Sequence, residues 1–433
     1  MELPESLDGT YERILKEIKK PNRGHARRVL ECLVVAIRPL RVAELAEVLA
    51  VDFDDMEGMP KLNADWRWED QEHALLIACS SLIAIVKDGD SQVVQFSHFS
   101  VKEFLTSSRL ATASGETSDY HIDLEPAHTT LAQACLGVLL VLRTHDNVEG
   151  HTPEDHPLAQ YGAQHWTTHA QFEDVSSRLR KGMEDLFDPE KPHFKVWRTL
   201  YDIDAELNSN ATFFLFTKFH KSAATPLYYA ALCGFHDLVE HLIIKHLQDV
   251  NADGGYHVRP LLAALAGKHF QTAELLRRSG AGCADSRLQG NDNWTPMHSA
   301  AYYGDLDVVQ RLIEYDADVS PEDISGRTPL HLACLASGDL GANVRFVLRP
   351  SVLRLLLEHG ADVNAREMSG STALHTASKF AALEVVRVLL EHGADMKAED
   401  NDGRTALQVA EREHEEVGDR DEVMKLLLEH ETK

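Results

Sequence analysis

The sequence predicts a mainly α-helical chain whose second half is a solenoid of stacked helix pairs. Three observations carry that prediction. A short Thr-Pro-Leu-type frame recurs six times after residue 222. A Leu-rich stretch of helical period follows the copies. Strand-like segments, by contrast, stand out only once, as a pair around residue 90. The 433 residues are 44% hydrophobic and 26% charged, near globular averages, so a folded chain of two to four domains is expected at roughly 150 residues per domain. Sixty-nine Asp and Glu against 43 Lys and Arg leave a net charge of −26, a field that repels phosphate backbones and anionic lipid. Neither nucleic acid nor a membrane is expected as a partner.

The first region, residues 1–110, reads as winged-helix-like. Thr10-Tyr11-Glu12-Arg13-Ile14-Leu15 opens an amphipathic helix, residues 25–37 form a second, and after Pro39 residues 42–49 form a third. A fourth helix over about 72–80 leads into a strand over 82–86, the turn Asp88-Gly89-Asp90, and a strand over 93–96, the hairpin that makes the wing. Ser100-Val101-Lys102-Glu103 has capping-box spacing and is expected to start a further helix carrying Phe104 and Leu105. Residues 111–221 are helical without repetition, with helices expected over 131–142, 157–170, 177–186 and 194–201, and are read as a spacer. Loops are expected over 146–156 and 188–192.

The third region, residues 222–433, carries the repeats. Thr225-Pro226-Leu227-Tyr228, Thr295-Pro296-Met297-His298, Thr328-Pro329-Leu330-His331, Thr372-Ala373-Leu374-His375 and Thr405-Ala406-Leu407-Gln408 share one frame, with a weaker copy at Arg259-Pro260-Leu261-Leu262. The starts are 34, 36, 33, 44 and 33 residues apart, which is close to the roughly 33-residue period of ankyrin repeats. Pro suits the first helical position, where its missing N–H costs nothing, and the Thr hydroxyl can cap the free N–H groups. Paired alanines such as Ala300-Ala301 let neighbouring helices approach, and Gly360 and Gly393 suit the left-handed position that ends a helix. The 44-residue step holds about eleven extra residues around 338–350, expected to protrude rather than break the stack.

Leu3-Pro4 before Thr10-Tyr11-Glu12-Arg13-Ile14-Leu15, Leu40-Arg41-Val42-Ala43-Glu44-Leu45, and Phe96-Ser97-His98-Phe99-Ser100-Val101-Lys102-Glu103-Phe104-Leu105 resemble the segment that follows the nucleotide-binding module in fungal NACHT–ankyrin proteins. Pro157-Leu158-Ala159-Gln160-Tyr161, with His165-Trp166 and His169, resembles the helical region after it. The resemblance implies a switch of the STAND, NOD-like receptor type, in which an NTPase module changes state and C-terminal repeats sense a partner. It also implies that the winged helix packs against an NTPase, in cis or in trans. The phosphate-cradling string GxxxxGK[ST] does not occur in this sequence; Gly267-Lys268-His269 lacks both the upstream Gly and the hydroxyl. The chain is therefore expected to correspond to a receptor arm without its NTPase module, whether as a shortened gene product, a fragment or a stand-alone adaptor.

Several site chemistries are weighed and set aside. The groove-reading helix of a winged helix would lie over 69–77, with three acids and no Lys or Arg to meet phosphate or guanine. His165 and His169, four apart on a helix, lack a third metal ligand and are read as structural. His298, His331 and His375 hold the frame's fourth position, where ankyrin repeats hydrogen-bond between neighbouring loops. Tyr228 replaces that His and is expected to bond within the chain. No GxSxG, HExxH or Cys/His pairing points to catalysis, and paired acids such as Asp54-Asp55 read as solvated. No cofactor and no enzyme activity are expected. The six cysteines form no CxxC pair and read as reduced core thiols. The first residues have neither a basic nor an apolar leader, so a cytoplasmic chain is expected, with a nuclear one as the alternative.

The better functional surface is the concave groove of the repeats, lined in ankyrin stacks by hairpin tips and the ends of the first helices. The frame places Trp294, Tyr302, Tyr303, Arg327, Met368, Lys379, Phe380, Asp402, Arg404 and Arg412 there. Trp294 and the two tyrosines make a possible aromatic patch, with packing against neighbouring hairpins as the alternative. The tail from Glu399 has 12 acids and 5 bases, read as a polar cap on the stack or, alternatively, a dock for a basic peptide. The expected function is a non-enzymatic scaffold or adaptor that binds a protein partner in its groove. The sensor arm of a nucleotide-switched receptor is the second reading, and an adaptor presenting substrates to an enzyme the third.

Overall fold

A computed structural model describes residues 5–53, 60–79, 81–113, 115–142, 155–204, 224–282, 293–335, 350–412 and 420–431, which form a mainly helical chain. These residues divide into two compact units, one of residues 1–203 with 235–247, the other of 204–234 with 248–433. Asp54-Asp55, Cys283, most of the 146–156 loop and the extra residues of the long repeat step lie outside the described residues.

The first unit begins with helices α1 (Glu5–Glu17), α2 (Arg23–Val35), α3 (Val42–Leu49) and α4 (Gln71–Cys79), preceded and joined by the short strands β1 (Leu40–Arg41), β2 (Val51–Asp52) and β3 (Lys61–Leu62). The wing is the hairpin β4 (Ile83–Asp88) and β5 (Ser91–Phe96), in register from Ile83 opposite Phe96 to Asp88 opposite Ser91. Gly89 turns it at φ +58°, where a side chain would be strained. β1 adds a third strand on β5, Leu40 opposite Val94, a pairing across more than fifty residues that no local pattern announces. Leu30, Leu45 and Leu75 are fully buried among these elements, as the helical period requires. Helix α5 (Phe99–Leu105) corrects the expected start at Ser100. Its cap is His98, whose Nδ1 accepts the Ser100 N–H at 3.2 Å. Ser100 itself is fully buried, and its hydroxyl bonds the Tyr11 hydroxyl at 2.8 Å. The hydroxyl also bonds Nδ1 of His98 at 2.5 Å, so the side chain joins the cap to the core.

After the short α6 (Ser108–Ala111) come α7 (Leu124–Leu139) and α8 (Leu158–Ala170), then α9 (Val175–Arg178), α10 (Arg180–Phe187) and α11 (His193–Leu200). The expected helix over 177–186 is thus two, separated at Leu179. Trp166 lies on Phe235 with centroids 5.4 Å apart and meets Trp197 edge-on at 5.5 Å. Trp197 donates from Nε1 to the Ala163 carbonyl at 3.0 Å, so its one polar atom is satisfied inside the aromatic cluster. Two buried carboxylates lie one turn apart on α3, and the second ties the winged region to the spacer. Glu44 receives the Arg38 guanidinium in a fork at 2.6 and 2.8 Å, and Glu47 accepts the Leu158 N–H at 2.7 Å and an Arg67 hydrogen bond.

In the second unit the first helices of the repeats are Pro226–Leu232, Pro260–Ala266, Pro296–Tyr303, Pro329–Ala333, Ala373–Lys379 and Ala406–Arg412. Second helices lie at Phe270–Arg278, Leu306–Glu314, Pro350–Glu358, Leu383–Glu391 and Arg420–Glu431, while the helix His236–Ile244 groups with the first unit. The Thr225 hydroxyl accepts the Tyr228 N–H at 3.2 Å, the cap that the Thr-Pro frame predicts. Ala301, Val309, Leu353, Leu374 and Leu389 are at most 1% exposed, because one repeat's apolar face is covered only by its neighbour. Gly360 and Gly393 sit at φ +91° and +83°, as the helix ends require.

Candidate functional site

The groove side of the repeats is ordered by two recurring devices. The first is a histidine relay. The Thr295, Thr328 and Thr372 N–H groups donate to Nδ1 of His298, His331 and His375 at 3.0, 3.2 and 3.2 Å. That makes Nδ1 an acceptor and leaves the proton on Nε2, which donates to the carbonyls of Arg327, Ser371 and Arg404 in the next hairpin at 3.0, 3.3 and 3.0 Å. The three rings are thus neutral and internal to the stack, as the frame predicts. Burial holds His331 below the ordinary histidine range, although its bond to Ser371 pulls the other way. Tyr228 behaves as expected of the residue in that position: it is buried, donates to Asp204 at 2.6 Å and accepts the His257 N–H at 3.1 Å.

The second device is an aspartate clamp at the hairpin tips. Asp323 accepts the N–H groups of Ser325 and Arg327 at 2.8 and 2.9 Å and the Arg327 Nε–H at 2.8 Å. Asp400 does the same for Asp402, Arg404 and the Arg404 Nε–H at 3.0, 2.9 and 2.9 Å. The shared spacing Asp-x-x-Gly-Arg at 323–327 and 400–404 carries this signal, which the groove assignment from the frame passed over. Neighbouring tips also join directly, Met368 N–H to the Ser325 carbonyl and Asn401 N–H to the Ser369 carbonyl, both at 2.9 Å.

Five of the ten groove residues, Arg327, Lys379, Phe380, Arg404 and Arg412, line one cavity of about 360 Å³ that crosses three consecutive repeats. His331, Glu367, Ser369, His375 and Asp400 complete much of its wall. Lys379 sits over the Phe380 ring at 5.9 Å. Asp402 lies at the rim, paired with Arg404 at 2.6 Å, and Met368 is 72% exposed on its tip. Trp294, Tyr302 and Tyr303 stand apart from this cavity but together, with Trp294 and Tyr302 centroids 5.3 Å apart and Tyr302 and Tyr303 5.2 Å apart. Trp294 also donates to Asp323 at 3.2 Å and is half-buried, whereas Tyr303 is 54% exposed. The patch therefore combines a packed ring with an open one.

The spacer histidines take internal roles. His169 is buried, with Nδ1 2.8 Å from Nδ1 of His128 and Nε2 3.0 Å from the Tyr161 hydroxyl, while His165 meets the Tyr161 ring edge-on. The Tyr161 oxygen also accepts the Ile37 N–H at 3.2 Å, which ties the histidine pair to the turn after α2. Burial, then His128 and His165, push His169 down to about 3. Cys79 and Cys233 are buried thiols pushed up to about 12. Among the described residues no group of three or more His, Cys, Asp or Glu is disposed to hold a metal ion, and no helix is long and apolar enough to cross a membrane.

Comparison with known proteins fits this architecture. Residues 11–123 match the family described as GPI inositol-deacylase, winged helix domain, and residues 261–367 and 344–433 match ankyrin repeats. The azaphilone pigments biosynthesis cluster protein L of Monascus ruber is 29% identical over 293 residues, 64% of this chain and 60% of that protein. Rabankyrin-5 of Homo sapiens is 36% identical over 89 residues, 18% of this chain and 8% of its own. NF-kappa-B inhibitor alpha of Gallus gallus is 32% identical over 87 residues, 20% and 27% respectively. The chain thus spans three fifths of the Monascus relative and smaller parts of the other two. It carries a winged helix domain of the GPI-inositol-deacylase type and a run of ankyrin repeats, the hallmark of a protein–protein interaction module.

Proposed function

We propose that the chain is a non-enzymatic scaffold that docks a protein partner in the concave groove of its ankyrin repeats. The observation that carries this reading is the cavity of about 360 Å³ that crosses three repeats and is lined by five of the ten assigned residues, the aromatic Phe380 among them. Such a wall offers shape and hydrogen-bonding groups to a partner. The partner contacts are assigned to Arg327, Lys379, Phe380, Arg404 and Arg412, with the patch at Trp294, Tyr302 and Tyr303 as a second contact, and the protein is placed in the cytoplasm. The test compares proteins retained from a native extract by the full chain, by Phe380→Ala/Arg412→Ala, and by Arg354→Ala on the far helices. At least one retained protein should disappear with the first variant and stay with the second. Retention indifferent to both sets of changes overturns the assignment.

The winged helix domain beside ankyrin repeats favours a second reading, the sensor arm of a fungal NACHT-type receptor whose NTPase acts in cis or in trans. Sequencing the transcript upstream of the codon for Met1 tests its cis form. An in-frame GxxxxGK[ST] segment supports the receptor arm, and its absence leaves the scaffold reading.

A further inference from the structure

We propose that the cavity crossing the last three repeats recognises an acidic peptide segment with two carboxylates about three residues apart; this rests on the groove being the docking surface. Of the cavity's own carboxylates, Asp400 is neutralised by Arg404, while Glu367 keeps its charge. Asp400 receives three hydrogen bonds from its hairpin and Arg404, and Glu367 accepts the Ser369 hydroxyl. The guanidiniums of Arg327 and Arg404 are fixed through Nε to Asp323 and Asp400. Lys379 and Arg412 differ: both are exposed, and among the described residues neither has an ion-pair partner. Two cations without an ion-pair partner among the described residues therefore outnumber the one unneutralised carboxylate of the cavity, in a chain of net charge −26, a local reversal of the overall sign.

Their placement sets the spacing. Lys379 and Arg412 each close a first helix, seven residues after the capping position at Thr372 or Thr405, so they are equivalent points on adjacent, packed helices. Packed helix axes lie roughly 8–10 Å apart. A segment in the polyproline II conformation rises about 3.1 Å per residue and returns to the same face every third residue, so carboxylates three positions apart span about 9 Å and reach both cations. Phe380, half-buried and lining the same cavity beside Lys379, adds apolar contact area. The two cations would give selectivity and the ring would give most of the contact area.

A random 12-residue phage library panned against the full chain tests this, alongside Lys379→Glu/Arg412→Glu and the neutral Lys379→Gln/Arg412→Gln, with circular dichroism to check that all three are folded. Wild type should select peptides carrying Asp or Glu about three residues apart. The neutral variant should weaken those peptides at least tenfold, and the reversed variant should select basic ones instead. Peptides that require Phe380 yet show no acidic enrichment and ignore both charge variants overturn the acidic assignment while leaving groove docking intact. Selected peptides indifferent to Phe380→Ala as well as to the charge changes would remove the docking reading itself.

Discussion

Replacing His375 with Ala removes the acceptor of the buried Thr372 N–H and one of two donors to the Arg404 carbonyl, which keeps the Asp400 N–H at 2.9 Å. A loss of about 1–3 kcal/mol in unfolding free energy is expected from urea titration. His375→Gln should lose less, because Gln408 already accepts the equivalent Thr405 N–H at 2.9 Å. This role was legible in the sequence through the resemblance to ankyrin repeats, whose frame sets His three residues after Thr. The His128–His169 pair was not, because its rings are 41 residues apart and meet only through the packing of α7 on α8. Its consequence is a pH dependence. His169 titrates near 3 when folded and near 6.5 when unfolded, so the unfolded chain binds the extra proton between those limits. Stability is complete above pH 6.5 and falls as pH declines toward 3. The urea midpoint should drop from pH 7 to pH 5, and His169→Gln, although weaker at pH 7, should drop less over the same interval. Equal drops in both proteins would clear His169 of the effect.

Two glycines of the same sign of φ separate backbone strain from crowding at the level of hairpins and helix ends. Gly360 ends a second helix at φ +91° with open space where a Cβ would stand, so Gly360→Ala should cost only the left-handed penalty of about 1–2 kcal/mol. Gly370 sits in a hairpin tip at φ +77°, where a Cβ would meet Asn401 Oδ1 at 2.5 Å and Asn401 N at 2.9 Å. Gly370→Ala should cost clearly more in the same titration, and equal costs would show that the tips yield freely. The helices themselves were legible wherever Thr-Pro or an apolar period marked them, and α3 matches its expected bounds. Strand β1 was not, being two residues long and defined by a distant partner. Nor was the true start of α5, because the Ser100–Glu103 spacing is outweighed by a hydroxyl bond to Tyr11.

Across the whole chain, the repeat half could be read from period alone, whereas the groove could be read only in part. Arg327 and Arg404 look like free recognition residues in sequence and prove to be anchored by aspartates four positions earlier. The helix His236–Ile244 reads as part of the first repeat, yet Phe235 lies on Trp166 and His241 reaches Glu184 at 3.1 Å, so it belongs with the spacer helices. The histidine relay adds one further fact. Its bridges span 29 residues at His298 and His375 but 40 at His331, and the contact is still made. Excision of residues 338–348 should therefore shift the unfolding free energy by no more than about 1 kcal/mol, since loop length enters only logarithmically. A loss of several kcal/mol in thermal or urea unfolding would mean that those residues hold the repeat themselves. Sequence length and structural pitch are uncoupled at this one joint, which makes it a natural port where foreign sequence can be spliced in while the lattice on either side keeps time.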